Sequence, residues 1–198
     1  MRPLFISLLL FVLTQSCHNR NPKTFEEKLR EVSKDQGINA GDMRYSFDLP
    51  VGWSRLDTAL QGVQVTYMLH EATDDFRPLM NVSNEWMHSK GHEEYVIGTR
   101  HYLSNETDAE FVEEGTFTTR GGKALWYTYN RNYNGIKREC VYYSIADDGI
   151  SYNITAGVNA GGMSTYRPVF DEIVKSFAVG KDFNRADSGF VKWLDSAK

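Results

Sequence analysis

Ala124-Leu125-Trp126-Tyr127-Thr128-Tyr129, then Asn134-Gly135, then Val141-Tyr142-Tyr143-Ser144-Ile145 is the stretch from which the fold is read. Two runs rich in aromatic and β-branched residues flank an Asn-Gly pair, which tolerates the positive φ of a tight hairpin turn. Such a turn fixes register as well as direction. Counting outward from Asn134-Gly135 sets Trp126 opposite Tyr143, Ala124 opposite Ile145, Thr128 opposite Val141 and Arg131 opposite Arg138. Asp148-Gly149 extends the pattern, with Tyr143 facing Ile154 and Ile145 facing Tyr152. Gly121-Gly122 precedes it and sets Phe117 against Trp126. Residues 109–158 therefore read as four antiparallel strands. Side chains alternate between the two sides of a strand, so Phe117, Trp126, Tyr143 and Ile154 share one face with Ile145, Val141 and Ala156. That face is core.

The other face carries Leu125, Tyr127, Tyr129 and Arg131 on one strand and Arg138, Cys140, Tyr142 and Ser144 on the next, with Asn153 and Thr155 beyond. Like charges directly opposite one another cost a sheet up to about 1 kcal/mol unless neutralised. Two readings follow for Arg131 and Arg138. Glu114, diagonal to Arg131 in this register, could supply the counter-charge. Alternatively, the two arginines, framed by Tyr127, Tyr129, Tyr133 and Tyr142, bind a small anionic or sugar-like ligand. The tyrosines could equally pack under the amino-terminal helix expected after Thr24, the commoner use of such rings.

Outward from this core, Asn159-Ala160-Gly161-Gly162 leads to Ser164 or Thr165 as a helix cap, with Pro168 in the first turn. Phe170, Ile173, Val174 and Phe177 then form an apolar stripe suited to cover the core face. Upstream, strands are expected at Tyr45–Leu49, closed by Pro50-Val51-Gly52-Trp53, and at 64–69 and 79–87. Residues 92–104 read as helix, with Tyr95, Val96, Thr99, Tyr102 and Leu103 on one side. Thr24 and Glu27 make a capping-box pattern ahead of Phe25, Leu29 and Val32, an amphipathic helix ending before Gly37. Phe190, Trp193 and Leu194 mark another short one near the end of the chain.

The first seventeen residues carry a different message. Arg2 precedes an apolar run from Leu4 to Leu13, about half of the ~20 residues a membrane-spanning helix needs, which reads as an export signal. Leu13-Thr14-Gln15-Ser16-Cys17 resembles a bacterial lipobox. The resemblance implies cleavage after Ser16, so that 1–16 is a signal peptide, and acylation of Cys17. Residues 17–43 then hold the lipidated cysteine, a polar tether and the short helix. With His rather than Asp at position 18, sorting rules for such proteins favour the periplasmic leaflet of the outer membrane over inner-membrane retention.

The remaining chain has room for one domain with a real core. Its formal charge of −4 and pI of about 5.7, without a dense Lys/Arg run, argue against nucleic acid as a partner. With Cys17 acylated, Cys140 has no disulfide partner in a chain of two cysteines, and in a strand interior it reads as an inert thiol. His88 and His92 have helical spacing, but Gly91 breaks it and no third ligand is indicated, so no metal site is assigned. The glycines of 157–162 lack the Lys-Ser/Thr of a phosphate loop. There is no Gly-x-Ser-x-Gly, and no cofactor is expected. The three Asn-x-Ser/Thr sequons at Asn81, Asn105 and Asn153 are chance matches in a bacterial setting.

Tyr45-Ser46-Phe47-Asp48-Leu49-Pro50-Val51-Gly52-Trp53, the meander, and the ending from Tyr166-Arg167-Pro168-Val169-Phe170 to Ser176-Phe177 together resemble PsbP-like and DcrB-like domains over residues 44–179. The resemblance implies an α+β fold, an α/β/α sandwich around a central antiparallel sheet, with 180–198 as a tail. Domains of this shape serve different functions, most of them non-enzymatic, so the fold alone does not assign one. The expectation is a non-enzymatic envelope lipoprotein held to the membrane by its N-terminal lipid, binding an envelope protein or a small anionic ligand. The alternative is an accessory or immunity protein of a secretion or toxin system, whose acidic surface would cover a basic effector.

Overall fold

A computed structural model describes residues 45–60, 63–70, 78–88, 90–133 and 135–179. Cys17, the helix expected after Thr24 and the one expected near Trp193 lie outside the described residues. The elements are β1 (Tyr45–Ser46), β2 (Trp53–Leu60), β3 (Val63–His70), β4 (Leu79–Trp86), α1 (His92–Glu106), β5 (Glu110–Thr119), β6 (Gly122–Tyr133), β7 (Ile136–Asp147), β8 (Ile150–Asn159), α2 (Met163–Lys175) and β9 (Ala178–Val179). Seven strands form one antiparallel sheet in the order β2-β3-β4-β8-β7-β6-β5, and β1 pairs with β9 in a separate ribbon.

This order explains where α1 lies. β4 sits in the middle of the sheet and β5 at its edge, four strand spacings away, or ~19 Å at ~4.8 Å each. The fifteen residues of α1 supply about 22 Å of rise. The connection from β4 to β5 therefore lays the helix across one face of the sheet, over β8, β7 and β6. α2 covers the opposite face, with Phe170, Ile173, Val174 and Phe177 all at most 1% exposed against Tyr143, Ile145 and Ile154. Full burial of each such side chain contributes about 1.5–3 kcal/mol. Among the described residues the result is an α+β sandwich with one helix on each side of the sheet.

The hairpin registers across residues 134–135 and 148–149 are as expected: Trp126 pairs with Tyr143, Ala124 with Ile145, Thr128 with Val141, Tyr143 with Ile154 and Ile145 with Tyr152. The third is displaced. Phe117 lies opposite Ala124, and Gly115, not Phe117, faces Trp126. The turn falls on Arg120-Gly121, because Arg120 N–H donates to the Lys175 carbonyl at 2.9 Å and Gly121 N–H to that of Phe177 at 2.7 Å. A Cβ on Gly121 would stand 2.9 Å from the backbone nitrogen of Val179. Docking of the segment after α2 thus chooses the turn. A displacement of two leaves Phe117 on its face, so it still packs edge-on to Tyr143 at 5.9 Å, whereas the bulge between Phe111 and Glu113 turns Phe111 to the other face.

Three local expectations need correction. Trp53 does not close a strand but opens one, β2, after a turn in which Trp53 N–H bonds Pro50 O at 3.1 Å, and only Tyr45–Ser46 of the expected first strand is paired. β2 hides from a hydrophobic pattern because its middle is Arg55 and Asp57. These two form a pair at 2.9 Å, Arg55 covers the Phe47 ring at 5.0 Å, and Asp57 accepts the Thr66 hydroxyl at 2.5 Å. Second, no Ser164 or Thr165 side chain caps α2. Glu139 of β7 serves its start instead, its carboxylate accepting from Met163 N–H, the first residue of the helix, at 2.8 Å and from Gly161 N–H in the loop before it at 2.9 Å. A carboxylate also suits the positive end of the helix dipole. Third, Pro168 is the sixth helical residue, not in the first turn, and Ser164, whose carbonyl it leaves unbonded, is exposed.

Gly115 is where Trp126 needs the space, since a Cβ there would lie 2.8 Å from its ring. The Arg167 guanidinium lies over that ring, 4.2 Å from its centroid. Gly115→Ala is expected to destabilise the domain by about 1–3 kcal/mol in urea unfolding; unchanged stability would mean that Trp126 is not held there.

Candidate functional site

The second sheet face, beneath α1, holds the tyrosines singled out from sequence. Tyr127, Tyr129 and Tyr142 are 2%, 5% and 4% exposed, packed with Cys140 against Tyr95, Val96 and Leu103 of α1. Tyr127 and Tyr142 stack at 4.7 Å between ring centroids, and Phe111 of β5 meets Tyr127 edge-on at 5.4 Å. Of the five residues proposed as a ligand or partner face, these three form a second core closed by the helix. Burial holds their phenols well above the usual range and pushes the Cys140 thiol up to about 12. At neutral pH that sulfur is a protonated, inaccessible thiol.

A chain of buried polar groups sews α1 to this face. Tyr142 and Ser151 both donate to Asn153 Oδ1 at 2.7 Å. Asn153 Nδ2 donates to the Tyr95 hydroxyl at 2.9 Å, which donates to Glu85 Oε2 at 2.5 Å. On the other side Ser144 and Ser151 are 2.8 Å apart, and His92 Nε2 is 2.8 Å from Ser144 Oγ. The proton directions follow from counting. Ser151 has spent its one proton on Asn153, so Ser144 donates to Ser151 and His92 donates from Nε2. The helix is thereby bonded to β4, β7 and β8 at once. The sequence reading placed Ser144 and Asn153 on this face but missed Glu85, His92, Tyr95 and Ser151 as partners. Tyr95 and Asn153 are 58 positions apart, and no local spacing signals the pair.

Arg131 and Arg138 face each other at the end of the same surface, as expected. The Glu114 counter-charge is not there. The displaced β5 register puts Glu114 opposite Tyr127, where it pairs with Arg100 of α1, whose guanidinium lies 4.6 Å over Phe111. Arg138 is 7% exposed and donates to Asn159 Oδ1, with burial lowering its pKa from the usual value. Arg131 is half-buried, stacks 5.4 Å from the Tyr133 ring centroid, and its Nε is buried without a hydrogen-bond partner. The acid bonded at this end, Asp108, accepts from Asn132 N–H at 3.1 Å and from neither guanidinium.

The remaining chemical candidates are engaged elsewhere. His88 sits at φ 50° outside the helix that His92 begins, so the two do not share a helical face. Among the described residues no group of three or more His, Cys, Asp or Glu is placed to hold a metal ion. In the glycine loop before α2, Gly161 N–H donates to Glu139 and Gly162 N–H to the Asn159 carbonyl of the same chain.

No protein-family model matches the chain, and no curated protein sequence does. Solved structures do. LpqN, involved in cell envelope biogenesis of Mycobacterium tuberculosis, superposes with a TM-score of 0.59 at 13% identity, covering 81% of this chain and 99% of its own. Cyanobacterial PsbP (CyanoP) from Synechocystis sp. PCC 6803 gives 0.53 at 18% identity, covering 72% and 89%. A Pseudomonas aeruginosa protein of unknown function gives 0.52 at 9%, covering 62% and 94%. At these identities the likeness is one of fold, and the fold is PsbP-like.

Two measurements probe the helix–sheet contact. Asn153→Leu removes the acceptor of the Tyr142 hydroxyl, and a cost of about 1–3 kcal/mol is expected in chemical unfolding; a neutral result would show that the network does not hold α1. Burial, assisted by the Lys123 ammonium and opposed by Glu93 and the Ser144 bond, lowers the His92 pKa. The unfolded chain therefore takes up a proton below about pH 6.5 that the folded state resists. Stability should fall as pH drops from there through the lower folded pKa. His92→Gln should lose that component of the slope between pH 7.5 and 5, and equal slopes in the two proteins would contradict it.

Proposed function

We propose that this chain is a non-enzymatic lipoprotein of the cell envelope, anchored through acyl chains on Cys17, whose domain acts as a periplasmic binding or adaptor module for an envelope protein or a small anionic ligand. The observation that carries the reading is the apolar run ending in Leu13-Thr14-Gln15-Ser16-Cys17, joined by a short polar segment to a PsbP-like domain. Among the described residues no helix is long and apolar enough to cross a membrane. Attachment then falls to the lipid. One acyl chain binds a bilayer only marginally, and stable anchoring takes two or more, which lipoprotein-type acylation provides. His18 favours the periplasmic leaflet of the outer membrane. The fold likeness to a protein of mycobacterial cell envelope biogenesis supports the same setting.

A binding rather than catalytic role fits the side chains. Cys140 is buried and protonated, Ser144 and His92 lie within a structural hydrogen-bond chain, and Glu139 caps a helix. None of them combines an open approach with the perturbed acid or base that catalysis needs.

Cys17→Ala expressed in a Gram-negative envelope should move the protein from the membrane to the soluble periplasmic fraction. Continued sedimentation of the variant with outer membranes would refute anchoring at Cys17.

A further inference from the structure

We infer that Trp86, at the end of the sheet where the N-terminal tether joins the domain, lies in the headgroup region of the phospholipid bilayer that holds the lipid anchor. The inference rests on the reading that Cys17 is acylated and deepens it, from an anchored domain to one that keeps a fixed side toward the membrane. Trp86 is the last residue of β4 and is 56% exposed. The other two described tryptophans, Trp53 and Trp126, pack against the core under α2. The Trp86 ring has a seat on the β7–β8 turn, where a Cβ on Gly149 would stand 3.2 Å from it. Met87 N–H, next in the chain, bonds the Gly149 carbonyl at 2.9 Å and fixes that turn to the end of β4. The fold thus presents a large ring, held in place, with most of its surface open.

The register puts the root of the tether beside this ring. In the pairing of β4 with β8, Trp86 faces Ile150 and Asn84 faces Tyr152, whose ring meets Tyr45, the first described residue, edge-on at 5.7 Å. Trp86 is therefore two residues, about 7 Å of strand, outward from the place where Tyr45 packs. Val82, Asn84 and Trp86 alternate onto the face covered by α2, where Tyr45 also lies. Tyr45 pairs in turn with Val179, which stands against Gly121 of the neighbouring β5–β6 turn. A tether limits distance but leaves the domain able to turn, and a second contact near its root fixes the orientation. With the lipid inserted, that contact is intramolecular and forms at high effective concentration, so one ring suffices where it would bind a membrane negligibly by itself. Indole joins an apolar body to one N–H donor, the combination that enriches Trp at membrane–water interfaces. The surrounding charges are mixed. Lys90 after β4 and Asp148 in the β7–β8 turn are both exposed, and Arg120 and Lys123 pair with Asp48 and Glu93. Without an excess of positive charge among the described residues here, the contact is to zwitterionic headgroups and needs no anionic lipid.

The full acylated chain, inserted from detergent into phosphatidylcholine vesicles whose acyl chains are brominated near the glycerol end, tests the contact. Vesicle flotation and tryptophan emission are read together. The wild-type chain should float with the vesicles, and part of its emission should be quenched relative to unbrominated vesicles. Trp86→Phe, which keeps a ring on the Gly149 turn and should melt as the wild type does, should float equally and lose that quenching. Val51→Ser, which changes the exposed residue of the turn at the opposite end of the sheet, should retain it. Trp193→Phe should retain it too, and tests the contact without touching position 86. High salt should leave the quenching in place, and its loss there would overturn the contact with zwitterionic headgroups. A chain that does not float overturns the anchor at Cys17 and this contact with it. A chain that floats without quenching, or whose quenching survives in Trp86→Phe or vanishes in Trp193→Phe, overturns the contact while the anchor stands.

Discussion

Alternation along β6 and β7 governs this domain. Each strand turns one side chain up and the next down, so Trp126 and Tyr143 go to one face and Tyr127 and Tyr142 to the other. Both sets are large and aromatic, so neither face can be left to water, and each needs a helix. A slip of one residue in the hairpin would turn one strand over against the other and set the aromatic rings of one face against the polar residues of the other. The topology meets the demand economically. The chain must travel from the middle of the sheet to its edge between β4 and β5, and the helix that makes this crossing covers the second face as it goes.

The two faces are held by different means. α2 packs through a broad apolar stripe, with Arg167 between Trp126 and Asp171 as its main polar contact. α1 presents only Tyr95, Val96 and Leu103 as buried residues and adds the polar chain from His92 to Glu85. Hydrophobic contact is non-directional, whereas a hydrogen-bond chain through Asn153 is satisfied in one position of the helix only. The network thus sets where α1 lies. That position in turn decides what of the second face is available to a ligand, since the tyrosines are covered.

Much of this could be read from the chain itself, and the reasons for the rest are specific. Asn134-Gly135 and Asp148-Gly149 gave correct registers because positive φ and two-residue loops leave little freedom. Gly121-Gly122 misled by two positions, as the choice between neighbouring turns was made by carbonyls of Lys175 and Phe177, more than fifty residues away. β2 was invisible because Arg55 and Asp57 neutralise each other inside it. The Ser164 cap failed for a related reason, a carboxylate from β7 reaching the helix start first. At the candidate site, sequence placed Arg131 opposite Arg138 and gathered the right tyrosines on one surface, yet it assigned Glu114 to the wrong arginine through the same misread turn. Long-range partners, not local propensities, account for each of these differences.

Whether the tyrosine face meets a ligand depends on α1 staying in place. Hydrogen–deuterium exchange on the full chain measures this directly, since amides of a detachable helix exchange faster than those of the sheet beneath it. The amides of 95–106 should be protected to nearly the same degree as those of β7 and β8. Exchange in α1 faster than in the sheet by several orders of magnitude would contradict a helix fixed by the Asn153 network. It would instead leave Tyr127, Tyr129 and Tyr142 as a surface open to binding.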